Sequence, residues 1–440
     1  MANAFDKLNS HPVFLGQGMA KTTVEDGDVT VGLYHAIKAL KKKLGVRVLN
    51  AKKTYATSSA AGGLKMSVHG LVYDMTVKAA KEAALGAGAN LKMITAGLLD
   101  KDQLKTLDSS NINIIMIAGG VNHGEKKTAL MNAESIAALQ LDIPVIYAGN
   151  TENQKAIRRI FEKNNQSDHL FITDNVYPKI DVLDVSKART IIQTVFEKHI
   201  VRAPGMEKVR DLVSETIIPT PGAVMEATKI LYGVYGDLIT LDIGGATTDV
   251  HSVTVGNKKI QDMLLSPEPF EKRTVEGDLG VFVNKDNIIN LWTKHRLTQS
   301  LKWTNASLDL ILDDYKEIPD LRQIPLVRKL AVMALKIAVE RHAGTYTSLF
   351  GPTGRTTYAE GKDLTEINVA LGTGGVLSRL ENSESIIKEA FEGIAKDRLI
   401  PTKPIRFLVD LDYIMASTGV LYKDHPNAAQ TLLLQSLARR

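Results

Sequence analysis

The chain is 440 residues long, 44% hydrophobic and 23% charged, which suits a globular protein of two or three domains. Its 54 basic and 49 acidic side chains leave a charge of only +5, scattered rather than striped, so a nucleic-acid partner is not expected. Cysteine is absent, and neither a signal-peptide core nor an apolar run of the ~18 residues a membrane span needs is present; this excludes disulfides and thiolate metal sites and points to the cytoplasm.

From the N-terminus, residues 58–89 (SSAAGGLKMSVHGLVYDMTVKAAKEAALGAGA) read as a glycine turn leading into a helix, alanine-rich over Val77–Leu85 and stopped by Gly86 and Gly88. Apolar runs rich in Ile and Val follow at 113–120, 143–150, 169–175, 237–245 and 367–375. Each closes on glycine or a small polar residue, the pattern of a buried strand. Helix-period stretches such as Glu134–Leu141 and Asn153–Asn164 alternate with them, so the fold class is α/β with parallel or mixed sheets. Residues from about 90 to 180 hold three strand–helix units, enough for an α/β subdomain within a first domain of residues 1–229. Residues 230–440 form the second domain. Between the two, Pro219 and Pro221 in IIPTPGAVMEA (217–227) bar a regular strand or helix core and read as a turn opening a helix.

LITLDIGGATTDVHSVTV (238–255) is the segment that carries chemistry. It reads as a strand, a tight glycine turn and a second strand. Gly244 and Gly245 let backbone N–H groups approach a phosphate with no Cβ in the way. Thr247 and Thr248 offer hydroxyl donors, and Asp242 and Asp249 are hard oxygen ligands suited to Mg²⁺, directly or through water. The bland alternative is an ordinary hairpin with a Gly-Gly turn.

The octet D-x-G-G-x-T-x-D (242–249) resembles the second phosphate loop of the actin-like ATPase superfamily, which implies a two-lobed, ribonuclease H-like fold. RTVEGDLGV (273–281) resembles the turn that follows this loop in the heat-shock chaperones of that superfamily. The resemblance implies that Gly277, Asp278 and Gly280 lie near the terminal phosphate; an exposed structural turn is the alternative. INVALGTGGVLSRL (367–380) looks like the adenosine motif, with Gly372, Thr373, Gly374 and Gly375 under the nucleoside, although a glycine-rich strand–helix turn is common in any α/β protein.

A wider resemblance covers nearly the whole chain. TTVEDGDVTVGL (22–33), residues 58–89, IIMIAGGVNHGEK (114–126), DNVYPKI (174–180), APGMEKVRDLV (203–213), IIPTPGAVMEATKILY (217–232) and DIGGATTDVHSV (242–253) together resemble the glutamate mutase L family. These are accessory proteins encoded beside adenosylcobalamin-dependent mutases, unrelated to the MutL of DNA mismatch repair, and the match looks closest to the branch associated with D-ornithine aminomutase. The resemblance implies an ATP- and Mg²⁺-binding accessory protein that reactivates such a mutase, glutamate mutase being the other candidate target. Mutase subunits would be its partners and cobalamin would be met only through them; a homodimer stays open. A small-molecule kinase of the same fold and a nucleotide-independent assembly factor are the alternatives. Family members open with a strand bearing D/E-x-G-S-T-x-T, whereas this chain opens on MANAFDKLNSHPVFLGQG, which looks like the segment after that loop. EDGD (25–28) is too polar to replace it. The expectation is that roughly 15 residues with the first strand are missing, through a late start codon or through loss of half the phosphate clamp. Whether ATP is hydrolysed is left open.

None of the ten histidines shows a paired metal spacing. His251 reads as a hydrogen-bonded structural residue rather than a ligand contact. His123, in AGGVNHGEKK, follows a glycine strand end of the kind where small molecules often bind, with Gly119 and Gly120 serving the turn. GTYT and GRTTY (344–358) read as a loop. In the helix 326–344, Leu330, Met333 and Ile337 form a core stripe, while Lys336, Glu340 and Arg341 face solvent or an adenine.

Overall fold

The apolar runs closed by small residues do form strands, all but the half-buried Leu170–Ile172 buried along most of their length, and together they make a mixed α/β protein with parallel sheets. The structure, a computed structural model, describes the whole chain except residues 22, 24–27, 59–63, 201–205, 216, 352–353 and 439–440. The glycine turn read at 58–63 and most of EDGD therefore lie outside the described residues. The chain forms two units, Met1–Val224 with Gly419–Ala428, and Met225–Thr418 with Ala429–Arg440.

The first unit opens with an antiparallel pair, β1 (Ala2–Asp6) and β2 (Val13–Gly18), on which α1 (Val29–Leu44) packs. Asp28 caps that helix by accepting from the Thr30 N–H, and Gly45 ends it in the left-handed region. A short parallel pair joins β3 (Ala56–Ser58) to β9 (Ile217–Pro219). Pro219 thus ends a three-residue strand, and Pro221 falls in the first turn of α8 (Thr220–Tyr235), where a missing N–H costs nothing.

The main sheet of this unit holds β4 (Leu64–Gly70), β5 (Ala89–Ala96), β6 (Ile114–Ile117), β7 (Val145–Tyr147) and β8 (Leu170–Ile172), all parallel, in the order β5-β4-β6-β7-β8. This corrects the reading of residues 58–89 as a turn leading into a helix. Residues 64–70 are an interior strand, and the helix proper is α2 (Lys78–Gly86), entered through one π turn at Tyr73–Val77. The strand was masked by its polar residues. His69 is fully buried, but Thr95 meets its Nδ1 at 2.8 Å and Ser67 its Nε2 at 3.0 Å. α2 and α6 (Ser186–Ile200) cover one face of the sheet. Leu107 of α3 (Lys101–Ser109), with α4 (Lys127–Ala138) and α5 (Gln154–Lys163), fills the other. A further helix, α7 (Met206–Leu212), precedes β9.

The second unit is built around β10 (Leu238–Ile243) and β11 (Thr248–Val253), an antiparallel hairpin, with β12 (Glu271–Glu276) added antiparallel to β11. On the other side β15 (Val369–Thr373) runs parallel to β10, and β16 (Arg406–Val409) parallel to β15. Counted within this sheet, the order β12-β11-β10-β15-β16 is 3-2-1-4-5. Short helices α9 (Lys258–Gln261), α10 (Lys285–Trp292), α11 (Lys294–Leu301) and α12 (Asn305–Asp313) precede the long α13 (Ile324–His342); α14 (Gly374–Leu377) and α15 (Ser383–Glu392) follow β15. Ile239, Leu241, Ile243 and Val250 pack on α13 and α15 to form the core of this unit. The GTYT–GRTTY stretch, read as a loop, is instead an antiparallel ribbon of β13 (Thr345–Gly351) and β14 (Gly354–Glu360). Its Thr-Tyr alternation is a strand signature that the surrounding glycines obscure.

Candidate functional site

The hairpin register sets the geometry of the Gly-Gly loop. Asp242 stands directly opposite Asp249 and Ile243 opposite Thr248, so the two aspartates share one face of the sheet. The turn closes through the Gly244 N–H, which donates to Thr247 O at 2.9 Å. That donor is therefore committed, while the Gly245 and Ala246 amides donate to no acceptor among the described residues.

The two carboxylates differ in environment. Asp249 is buried and forked by Arg273, whose Nε and Nη2 reach Oδ1 at 2.9 and 2.5 Å. Thr247 Oγ1 approaches its other oxygen at 3.4 Å. Asp242, half-buried at the strand end, receives no side-chain hydrogen bond among the described residues. Burial first, and then the charge of Asp249, push its pKa up to about 7. An uncompensated carboxylate beside a paired one is a cation site in electrostatic terms. No group of three or more metal-binding side chains exists among the described residues. A magnesium ion held by Asp242 and Asp249 would therefore complete its shell from water and phosphate oxygens, its usual habit in phosphate chemistry.

Thr248 has a task other than phosphate donation: its buried hydroxyl donates to Leu279 O at 2.6 Å and ties the loop to the next turn. That turn is bound tightly. Phe282 and Val283 N–H donate to Gly245 O at 2.9 and 2.8 Å, and Asn284 Nδ2 bridges Ala246 O and Gly277 O at 2.8 Å each. Gly280 is required by this approach, because a Cβ there would lie 2.2 Å from the Ala246 carbonyl carbon. Gly277 faces open space. Asp278 is held by Arg341 of α13 through two bonds of 2.7 and 3.0 Å, while the same guanidinium reaches Glu276 at 2.6 Å. Arg341, exposed to solvent as one of the two readings had it, thus also straps this turn to α13. Glu340 likewise accepts from the Ala395 N–H at 3.1 Å.

The third segment arrives along β15, which sets Thr373 beside Asp242. Gly374 has φ +90°, and a Cβ on it would stand 2.4 Å from Ile243 O and 2.5 Å from Asp242 Oδ1. Gly372 is packed under Ile387 and Leu377, a structural role, and Gly375 is open. Thr373 donates to Asp410 at 3.0 Å; Asp410 also takes the Ser436 hydroxyl and the Ile414 and Met415 N–H groups. Sequence reasoning missed Asp410, and also Ser378, whose buried hydroxyl has no hydrogen-bond partner among the described residues and lies one turn after Gly374. It missed Arg273 too, although the quoted segment 273–281 begins with it. The loop, the 277–284 turn and the GTGG turn therefore converge within one unit.

His251 is fully buried, but neither ring nitrogen has a hydrogen-bond partner among the described residues, so it is not the satisfied structural histidine the sequence suggested. His123, in the other unit, is exposed at a left-handed turn and pairs with Glu152 at 3.0 Å.

Comparison with known proteins adds the lineage. The MutL protein family matches residues 1–437. Protein MutL of Clostridium tetanomorphum is 35% identical over 438 residues, covering 95% of this chain and 93% of that protein. Among solved structures, a nucleotide-free acetone carboxylase is 12% identical, with 95% of this chain and 68% of that one covered at a TM-score of 0.38. A PilM–PilN type IV pilus biogenesis complex is 14% identical, with 55% and 57% covered at 0.21. Likeness at these scores carries no structural argument.

Proposed function

The chain belongs to the MutL family of glutamate mutase L type, and from that membership we propose that it is an ATP-binding accessory protein which reactivates an adenosylcobalamin-dependent amino-acid mutase, of the D-ornithine aminomutase or glutamate mutase kind. One observation carries the nucleotide half of this reading: three segments distant in sequence close on one loop, leaving the Asp242 carboxylate without a hydrogen bond among the described residues, beside the backbone of Gly374. The 3-2-1-4-5 sheet supports reading the second unit as one half of an actin-like ATPase, with the first unit as the other half carrying an inserted parallel sheet.

In this reading Asp242 and Asp249 hold Mg²⁺, the Gly245 and Ala246 amides and the Thr247 hydroxyl hold phosphate, and the open Gly374–Gly375 backbone with the Ser378 hydroxyl receives the nucleoside. Magnesium, when bound, draws negative charge off the phosphate oxygens. Asp278 and Arg341 fix the wall of the site rather than touch the ligand. Cobalamin stays with the mutase.

Calorimetric titration of the folded chain with Mg–ATP tests the reading. Saturable binding is expected, weakened at least tenfold in Asp242→Asn, since a hydrogen bond or ligand bond to a charged group is worth about 1.5–3 kcal/mol. No binding by the folded wild type overturns it. Recovery of an inactivated mutase with the chain and Mg–ATP, but not with the chain alone, tests the reactivating half.

A further inference from the structure

His251 presents an anomaly that the site as described does not use. It is wholly buried on the same sheet face as Asp242 and Asp249, and both of its ring nitrogens are unpartnered among the described residues. A buried polar group left in this way is destabilising, because its lost contact with water is not made good by a partner. Directly across the β11–β12 ladder from His251 stands Arg273, yet its guanidinium leans along the strand to the diagonal neighbour Asp249. On a wholly buried imidazole with no hydrogen-bond partner among the described residues, one ring nitrogen carries the proton and the other is an open acceptor. The directly opposed pair of an antiparallel ladder has Cβ atoms about 5 Å apart, well within reach of an arginine.

We propose that Arg273 is a two-seat latch, with the Asp249 carboxylate as one seat and the acceptor nitrogen of His251 as the other. This deepens the nucleotide reading of the same site and rests on it only for the trigger. A divalent cation taken up by Asp242 and Asp249 brings two positive charges against the guanidinium and removes the carboxylate that held it. Arg273 then swings one ladder position to His251, trading a charged partner for a neutral one while staying hydrogen-bonded. Because Arg273 and His251 touch no ligand in either state, both are positioning residues. Their movement would carry occupancy of the loop along β11 and β12 into the sheet.

The test separates the latch from the trigger. In protein labelled with ¹⁵N-histidine, the His251 ring signals are identified by their loss in His251→Phe. Asp249→Asn, with no nucleotide present, should move the unprotonated His251 nitrogen to the lower frequency of a hydrogen-bonded acceptor, and Asp249→Asn with Arg273→Met should return it. Mg–ATP added to wild type should produce the same movement. His251→Phe should melt no lower than wild type but bind Mg–ATP roughly tenfold to a hundredfold more weakly, the worth of one hydrogen bond to a charged group. His251 signals unmoved in Asp249→Asn overturn the latch; should that variant not fold, Arg273→Gln, which predicts no movement with Mg–ATP, stands in. Mg–ATP binding that leaves His251 unmoved overturns the latch and spares the nucleotide reading. A shift in Asp249→Asn, with no Mg–ATP binding by the folded wild type, keeps the second seat and sinks the nucleotide reading.

Discussion

Gly374 shows how little room the site leaves. Its φ of +90° and the 2.4–2.5 Å approach of Ile243 O and Asp242 Oδ1 forbid a side chain, so Gly374→Ala is expected to lower stability by about 2 kcal/mol or more and to shift Asp242. Urea unfolding checks the first effect and Mg–ATP titration the second. Asp242 itself predicts a pH effect. Its native pKa of about 7 lies above the ordinary carboxylate value, so between about pH 4 and 7 the folded state binds more protons than the unfolded one. Its contribution is full below about pH 4 and is lost as pH rises through 7. Asp242→Asn should therefore melt higher than wild type at pH 8, with the gap closing near pH 4. The two threonines part company: Thr248→Val should destabilise by about 1 kcal/mol with little change in nucleotide affinity, and Thr247→Val the reverse. The aspartate pair was legible because a hairpin fixes which residues face each other. Arg273 was not, since its burial depends on how β12 docks beside β11, which no local pattern announces.

Among the elements, β4 was the costliest misreading. A run of Ser, His and Gly inside LKMSVHG hides the alternation, and what makes it a strand is a partner on another strand, Thr95 of β5. His69 consequently titrates at about 4 in the folded state, pressed down by burial. Between about pH 6.5 and 4 the unfolded chain binds the extra proton, so stability should fall with acidification across that window. His69→Asn should flatten the slope of urea midpoint against pH; an unchanged slope would mean that another group governs it. The ribbon β13–β14 was missed for the opposite reason, since threonine and tyrosine between glycines read as loop until the two strands are seen in register. α4 was found but placed late, at Glu134 rather than Lys127, because its first turn, KTAL, carries no cap of its own and takes Glu125 instead.

For the molecule as a whole, alternation of strands and helices gave the α/β class, and no pattern in the sequence states a strand order. Within each five-stranded sheet, strands should differ in how their amides exchange with solvent. The slowest protons are expected in the interior strands, β11, β10 and β15 of one unit and β4, β6 and β7 of the other, with the edge strands β12, β16, β5 and β8 faster; hydrogen-exchange mass spectrometry reads this directly. The parallel pairing of β10 with β15 has a consequence in time. The loop at 242–249 leaves the ribosome long before Val369, and its neighbour Gly374 comes with β15. At synthesis rates of about 5–20 residues per second, the hairpin waits on the order of ten seconds, one edge of β10 still unpaired. A nascent chain halted before that point would display the aspartates and glycines of the loop and still lack the wall against which they are set.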